Sequence, residues 1–267
     1  QPVHHLLKLI EQTLRLGQLQ QLAAHDLAGS RDFQSKLREL APRLDYDARF
    51  AHALAERPVS LGYYFIPAGY GDAKSGALPA PALPRDAFKP LAPGAVATGY
   101  GANLPVFQRA APGAGFFNMR ADADGTARRM QLVAPYDDGY FLALSASTLR
   151  VAFGGDPVQA GLTAPGVPGR DNRSPWIEVG GLRTTLSADG SVYVPYRAGS
   201  PFPYVSAAQV LAGKAPVPQL ENRIVLVGST APGLTDLRVT PFSSTFPGVE
   251  IHAHLIAGML EDRKSVV

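Results

Sequence analysis

The chain has 267 residues, 46% of them hydrophobic and 18% charged, a balance that excludes intrinsic disorder and leaves enough chain for a sizeable core in one or two domains. A net charge of +3 with no run of Lys or Arg argues against a nucleic-acid partner, and the lack of cysteine excludes disulfides, thiolate metal sites and a cysteine nucleophile. No stretch approaches 18 uninterrupted apolar residues, so no segment of the sequence spans a bilayer as a helix.

The chain opens at Gln1 with neither methionine nor signal peptide and runs at once into a helical pattern, which reads as an excised piece of a longer protein. Val3, Leu7, Ile10 and Leu14 fall on one face of a helix predicted over 3–28. The heptad breaks at Gly17, so this is a packed surface helix and not a coiled coil. A second helix over 31–40 ends before Pro42, and a third starts at Asp45 as N-cap and runs through Phe50 and Leu54 to about Glu56. A strand at 59–65 lies between Pro58 and Pro67, followed by a long Pro/Gly/Ala-rich loop over 67–94. Strands follow at 95–99, 114–119 and 127–134, the last two flanking Asp122, Asp124 and Gly125 as a hairpin turn.

Residues 139–153 read as an apolar helix ending at Gly154 and Gly155, and another Pro/Gly loop covers 155–174. Strands are predicted near 175–179, 182–186 and 191–196, with Asp189 and Gly190 turning between the last two. Ser206 caps a short helix to Ala212, and a strand at 224–227 and a helix from about Val249 to Glu261 close the chain. With 27 Gly and 24 Pro, long connections carry much of the sequence. The fold class is α/β in the mixed α+β sense: a single domain over 1–267, with a mixed β-sheet flanked by helices and long Pro/Gly-rich loops.

The nearest approach to a catalytic motif fails. Gly228 to Thr235 follows a predicted strand with P-loop glycine spacing, but Leu234 stands where the phosphate-neutralising lysine is required, and Pro232 removes a backbone donor. Aligning Gly125 with the central glycine of a calcium loop puts Arg120 first and Gln131 last, where carboxylates are needed, so the turn is the better reading. Glu250, His252 and His254 form E-x-H-x-H, but two histidines two apart on a helix point in different directions and a third ligand is missing locally. Glu250 and His254 share a polar helix face, while His252 joins Ile256 and Leu260 beside the apolar stripe. No nucleophile elbow, zincin motif or dinucleotide fingerprint appears, so no catalytic residue, metal or cofactor is assigned.

Arg128 and Arg129 beside the turn offer an anion site, although in a strand only one of them faces any given site. The positional argument is topological: ligands of open α/β sheets sit beyond the carboxyl ends of strands. The strand at 224–227 would deliver Ser229 and Thr230 there, with Asp236, Arg238 and Thr240 brought by the loop behind, against the plainer reading of a loop tied by its own hydrogen bonds.

Several stretches together resemble one family. The closing segment Arg223-Ile-Val-Leu-Val-Gly-Ser-Thr-Ala-Pro-Gly-Leu234, then Asp236-Leu-Arg-Val-Thr-Pro241 and Pro247-Gly-Val-Glu-Ile-His-Ala253, is similar to the end of the second type of CHASE domain. In order before it stand Leu44 to Leu54 with Pro58 to Gly62, Gly115-Phe-Phe-Asn118 with the 122–125 turn and Arg128-Arg129, and Phe202-Pro203 with Ser206 to Gly213. The resemblance covers most of 44–262. The sequence departs from the family in lacking an opening apolar strand and a Trp/Pro-rich turn, its one tryptophan being Trp176, and in carrying Gln131 where proline is common. The missing strand implies truncation at the N-terminus.

The resemblance implies an extracytoplasmic, periplasmic sensor module of a bacterial inner-membrane receptor, anchored through flanking segments absent here and acting as a homodimer. It implies an unknown small-molecule or protein signal and a cytoplasmic output, a class III adenylate/guanylate cyclase by the wording of 44–54, with a Ser/Thr or histidine kinase as the alternative. Ser229, Thr230, Asp236, Arg238 and Thr240 are the expected ligand contacts, and the helix bearing Glu250 and His254 is the expected transmitter. A periplasmic hydrolase with an unrecognised site and a purely dimerising scaffold are the competing readings.

Overall fold

The computed structural model describes residues 45–89, 97–163, 173–199, 201–230 and 236–261, and the helices predicted over 3–28 and 31–40 lie outside them. In chain order the first half contains α1 (Tyr46–Ala55), β1 (Ser60–Pro67), β2 (Lys74–Ser75), β3 (Leu83–Pro84), β4 (Ala97–Gly101), α2 (Pro105–Ala110), β5 (Gly113–Phe116), β6 (Arg129–Gln131) and β7 (Val133–Tyr136). The second half contains β8 (Gly139–Leu142), α3 (Leu144–Ala152), β9 (Gln159–Leu162), β10 (Pro175–Val179), β11 (Leu182–Thr185), β12 (Ser191–Tyr193), α4 (Ala207–Leu211), β13 (Leu237–Arg238), β14 (Phe246–Pro247) and α5 (Gly248–Leu260). The fold is α/β, built from several small sheets among helices.

The chain divides into two compact units, Gln1–Arg57 with Pro203–Arg223, and Pro58–Phe202 with Ile224–Val267. In the first, the side chain of Asp45 accepts from the Ala48 N–H at 2.9 Å, satisfying one of the donors that a helix start leaves open. α1 then buries Ala51, Ala53 and Leu54. Ser206 starts α4 through its backbone carbonyl, and its side chain makes no cap bond.

The second unit is organised by a mixed four-stranded sheet in the order β2-β4-β1-β5. β1 runs parallel to β5, pairing Ser60 with Gly113 through Tyr63 with Phe116, and antiparallel to β4. Alternation along β1 sends Tyr63 and Phe65 inward and Tyr64 outward. α3 lies on β1 and β5. Gly115 permits this approach, since a Cβ there would meet the Leu144 backbone at 2.6 Å. α5 packs on α3 and completes a core that includes Phe116, Leu149, Ile177, Ile251 and Leu255.

Past Phe116 the pairing continues through a side chain. The Asn118 amide accepts from Phe65 N–H and donates to Phe65 C=O, both at 2.7 Å, acting as one more residue of the ladder. Asn118→Ala leaves both Phe65 groups without partners in a part-buried setting, an expected loss of about 2 kcal/mol. A urea midpoint unchanged from that of the native chain would show that the clasp contributes nothing.

Several expectations need correction. The segment 139–153 is not one helix: Gly139–Leu142 is a strand, joined to β7 by a tight turn with Asp137 at φ 49°, and only Leu144–Ala152 is helical. All four residues of β8 are buried, and a strand covered on both faces lacks the alternation that marks strands. The turn at 122–125 exists, with Gly125 N–H donating to Asp122 C=O at 2.9 Å, but it does not close a hairpin. The strands around it pair elsewhere, β5 with β1 and β6 with β12. Residues 224–227 form no strand: Ile224, Val225 and Val227 are exposed, and only Leu226 reaches the core. The polar face expected for the closing helix is absent, because Glu250 and His254 are both buried.

Candidate functional site

Of the residues expected to contact a ligand, Asp236 and Arg238 lie at the start of α5, and no strand at 224–227 delivers Ser229 and Thr230. Gly228 lies so close to Val249 that a Cβ would meet its side chain at 2.6 Å. Ser229 Oγ is buried with no partner among the described residues, and Thr230 is exposed. β13 and β14 form a hairpin, Leu237 opposite Pro247 and Arg238 opposite Phe246. Thr240 belongs to its turn: its N–H donates to the Ser243 carbonyl at 2.8 Å and its Oγ1 accepts from Ser243 N–H at 3.1 Å. The Asp236 carbonyl accepts from Gly248 N–H at 2.8 Å, and its carboxylate occupies the space a Cβ on Gly248 would need. That carboxylate therefore stands at the positive end of the α5 dipole. Burial pushes the Asp236 carboxyl upward, partly offset by Arg238.

On α5, Glu250 and His254 are one turn apart, 3.8 Å between Oε1 and Nε2, inside the unit. The rings of Tyr196, Phe202 and Phe246 surround His254 at centroid distances of 5.5, 5.0 and 5.7 Å. Burial lowers the His254 pKa, Glu250 raises it and Arg197 lowers it further, with a net downward shift. His252 is buried elsewhere on the helix and pushed down to about 4 by burial alone. Glu261, one heptad beyond His254, pairs with Arg197. Among the described residues no three His, Asp or Glu side chains converge as a metal site.

A cleft opens at the carboxyl ends of the parallel strands β1 and β5. It has a volume of about 580 Å³ and is lined mainly by apolar groups, among them Phe65, Tyr70, Phe116, Met119 and Ala134. The topological argument thus applies to β1 and β5, and not to the strand expected at 224–227. A smaller polar lobe of about 240 Å³ shares Arg120, Ala121 and Gln131 with it and continues to Asp122, Arg129, Asp189 and Ser191. Arg129 and Gln131 lie two apart on β6 and face this lobe together, with Met130 buried on the other side.

The charges in the polar lobe are unequally engaged. Arg128 bonds Asp122 at 2.9 Å and grips both oxygens of Asp124 at 2.9 and 2.7 Å, which holds the Asp124 carboxyl well below the usual carboxylate range. Asp189 accepts from Ser191 N–H at 3.1 Å and Oγ–H at 2.5 Å. The Arg129 guanidinium lies over the Tyr193 ring at 4.6 Å, and its buried Nε–H has no acceptor among the described residues. Arg120 is exposed at the shared rim. Of the two adjacent arginines, the turn carboxylates occupy Arg128, which lies just outside β6, and the lobe receives Arg129.

Sequence reasoning missed the cleft as a site. Its residues come from four separated segments, and the only local signals were the 115–118 stretch and the Arg128-Arg129 pair.

No curated protein and no solved structure matches the chain. One family model does, the CHASE2 domain, over residues 18–267. That span includes the whole of the cleft, the β13–β14 hairpin and α5, and reaches further toward the N-terminus than the stretches that carry the resemblance. The chain therefore belongs to the CHASE2 domain family, the sensory extracellular domains of signalling receptors.

Proposed function

We propose that this chain is the periplasmic ligand-sensing domain of a bacterial inner-membrane receptor, acting as a homodimer and controlling a cytoplasmic class III adenylate/guanylate cyclase. The cleft beyond β1 and β5 carries the ligand-sensing half of this reading. Its volume of about 580 Å³ and apolar walls with a few polar groups match the usual character of small-molecule sites. The domain has no catalytic role of its own in this reading. Ligand shifts the population between two arrangements of the domain, and a ligand with no preference between them would change nothing. α5 is the transmitter: it touches α3, which lies on β1 and β5, and any displacement of α5 must carry the buried Glu250 and His254 with it.

The hairpin residues Asp236 and Arg238, with Ser229, Thr230 and Thr240 nearby in the chain, are proposed to couple the site to α5. In the full-length receptor, Asp236→Ala and Arg238→Ala are expected to lower the cyclase response while ligand affinity stays unchanged. A fall in affinity in both would return these residues to direct ligand contact.

Sequencing the gene on either side of this chain tests the receptor. Transmembrane segments on both sides and a class III cyclase downstream are the expected result. A kinase domain downstream would keep the receptor and replace its output. A stop codon shortly after Val267, with only a cleavable signal upstream, would overturn the receptor and favour a periplasmic hydrolase.

A further inference from the structure

We propose that the cleft binds a small monocarboxylate with an apolar body, its carboxylate held by Arg129 and Arg120 and its body against Phe65, Tyr70 and Met119. This deepens the reading of the domain as a small-ligand sensor and rests on it. Arg129 carries the argument. Its guanidinium is pinned over Tyr193, and its buried Nε–H lacks an acceptor among the described residues. A planar guanidinium fixed in this way presents a fork of donors that a carboxylate accepts through both oxygens. Arg120 at the junction of the lobes adds a second positive charge where the anion would meet the apolar wall.

The carboxylates in the lobe set the charge of the ligand. Asp122 is engaged by Arg128, and Asp189 by Ser191, so neither takes up the Arg129 donor. Both would still repel a second negative charge, which favours a monoanion over a phosphate dianion. The larger lobe decides the rest. A bare inorganic ion would leave about 580 Å³ of mostly apolar space unfilled, whereas a ligand with an aryl or medium-length alkyl body buries its apolar surface there. Gln131 spans the two lobes with its amide anchored, Nε2 donating to the Asp189 carbonyl at 3.0 Å.

Calorimetric titration of the 267-residue chain with phenylacetate and octanoate, and with phenylacetamide as the uncharged control, tests the proposal. One or both acids are expected to bind, with phenylacetamide at least about tenfold weaker than phenylacetate, equivalent to roughly 1.4 kcal/mol. Arg129→Gln is expected to lose a similar factor, and Arg129→Lys to recover part of it, since charge returns without the fork. Arg120→Gln, at an exposed position, weakens binding without disturbing the fold, so the proposal stays testable if Arg129→Gln unfolds. Equal binding of acid and amide, or native affinity in Arg120→Gln or in a folded Arg129→Gln, would overturn anion recognition. No binding of either acid at millimolar concentration to a cooperatively folded chain would overturn the ligand class and leave the receptor standing on its flanking gene segments. Carboxylate binding in a chain whose gene encodes no membrane segment would leave the site and overturn the receptor.

Discussion

Phe65→Ala is expected to cost about 3–5 kcal/mol of stability, the usual range for removing a buried phenyl ring. Phe65 is 5% exposed, and its ring meets Tyr63, Phe116, Tyr136 and Phe141 at centroid distances of 5.4, 5.7, 5.1 and 5.6 Å. Those partners come from β1, β5, β7 and β8, so one truncation loosens two sheets at once. The aromatic geometry adds to the burial, since edge-on and offset ring pairs contribute beyond their area. For a chain of this size the melting temperature should fall by roughly 10 °C. Phe65→Leu, which refills most of the volume, should recover a large part of the loss. A native-like melt for Phe65→Ala would mean that the ring cluster is not the centre of the core.

The second large effect is acid destabilisation through α5. His252 is 4% exposed, and burial holds its pKa near 4 against an ordinary value of 6.5. The unfolded chain therefore binds a proton that the folded chain refuses between those values. Stability is fully present above about pH 6.5 and falls as the pH is lowered toward 4. The shift corresponds to a loss on the order of 3 kcal/mol from this residue. His254 acts in the same direction, its pKa lowered by burial and by Arg197 and partly restored by Glu250. Denaturant titrations between pH 7.5 and pH 4 measure the slope. His252→Leu should flatten it, and an unchanged slope in that variant would assign the acid sensitivity to other groups.

Both effects arise from residues whose identity the sequence displays and whose environment it conceals. Glu250 and His254 at i and i+4 fit a polar helix face, and local spacing alone cannot reveal that three aromatic rings enclose it. The helix itself was legible to within a residue at each end, because its apolar positions recur with helical spacing. The same holds for α1, where Asp45 at the cap is a local signal, and for β10 and β11, whose alternation is local too. Segments without a local signature were misread. β8 is buried on both faces and shows no period, while Ile224 to Val227 has the composition of a central strand but no pairing partner among the described residues.

The site divides along the same line. The sequence determined the family, through ordered motifs spread over most of the chain, but the alternation expected to separate Arg128 from Arg129 does not reach Arg128, which lies outside β6. Only the tertiary structure decided which of the two faces the cleft. Arg128 is taken by Asp122 and Asp124 within its own turn, and Arg129 is left to the cleft. Only the tertiary structure, too, placed the cleft at the ends of β1 and β5. Parallel pairing joins strands about fifty residues apart, and a pairing of that range leaves no periodic trace in either strand.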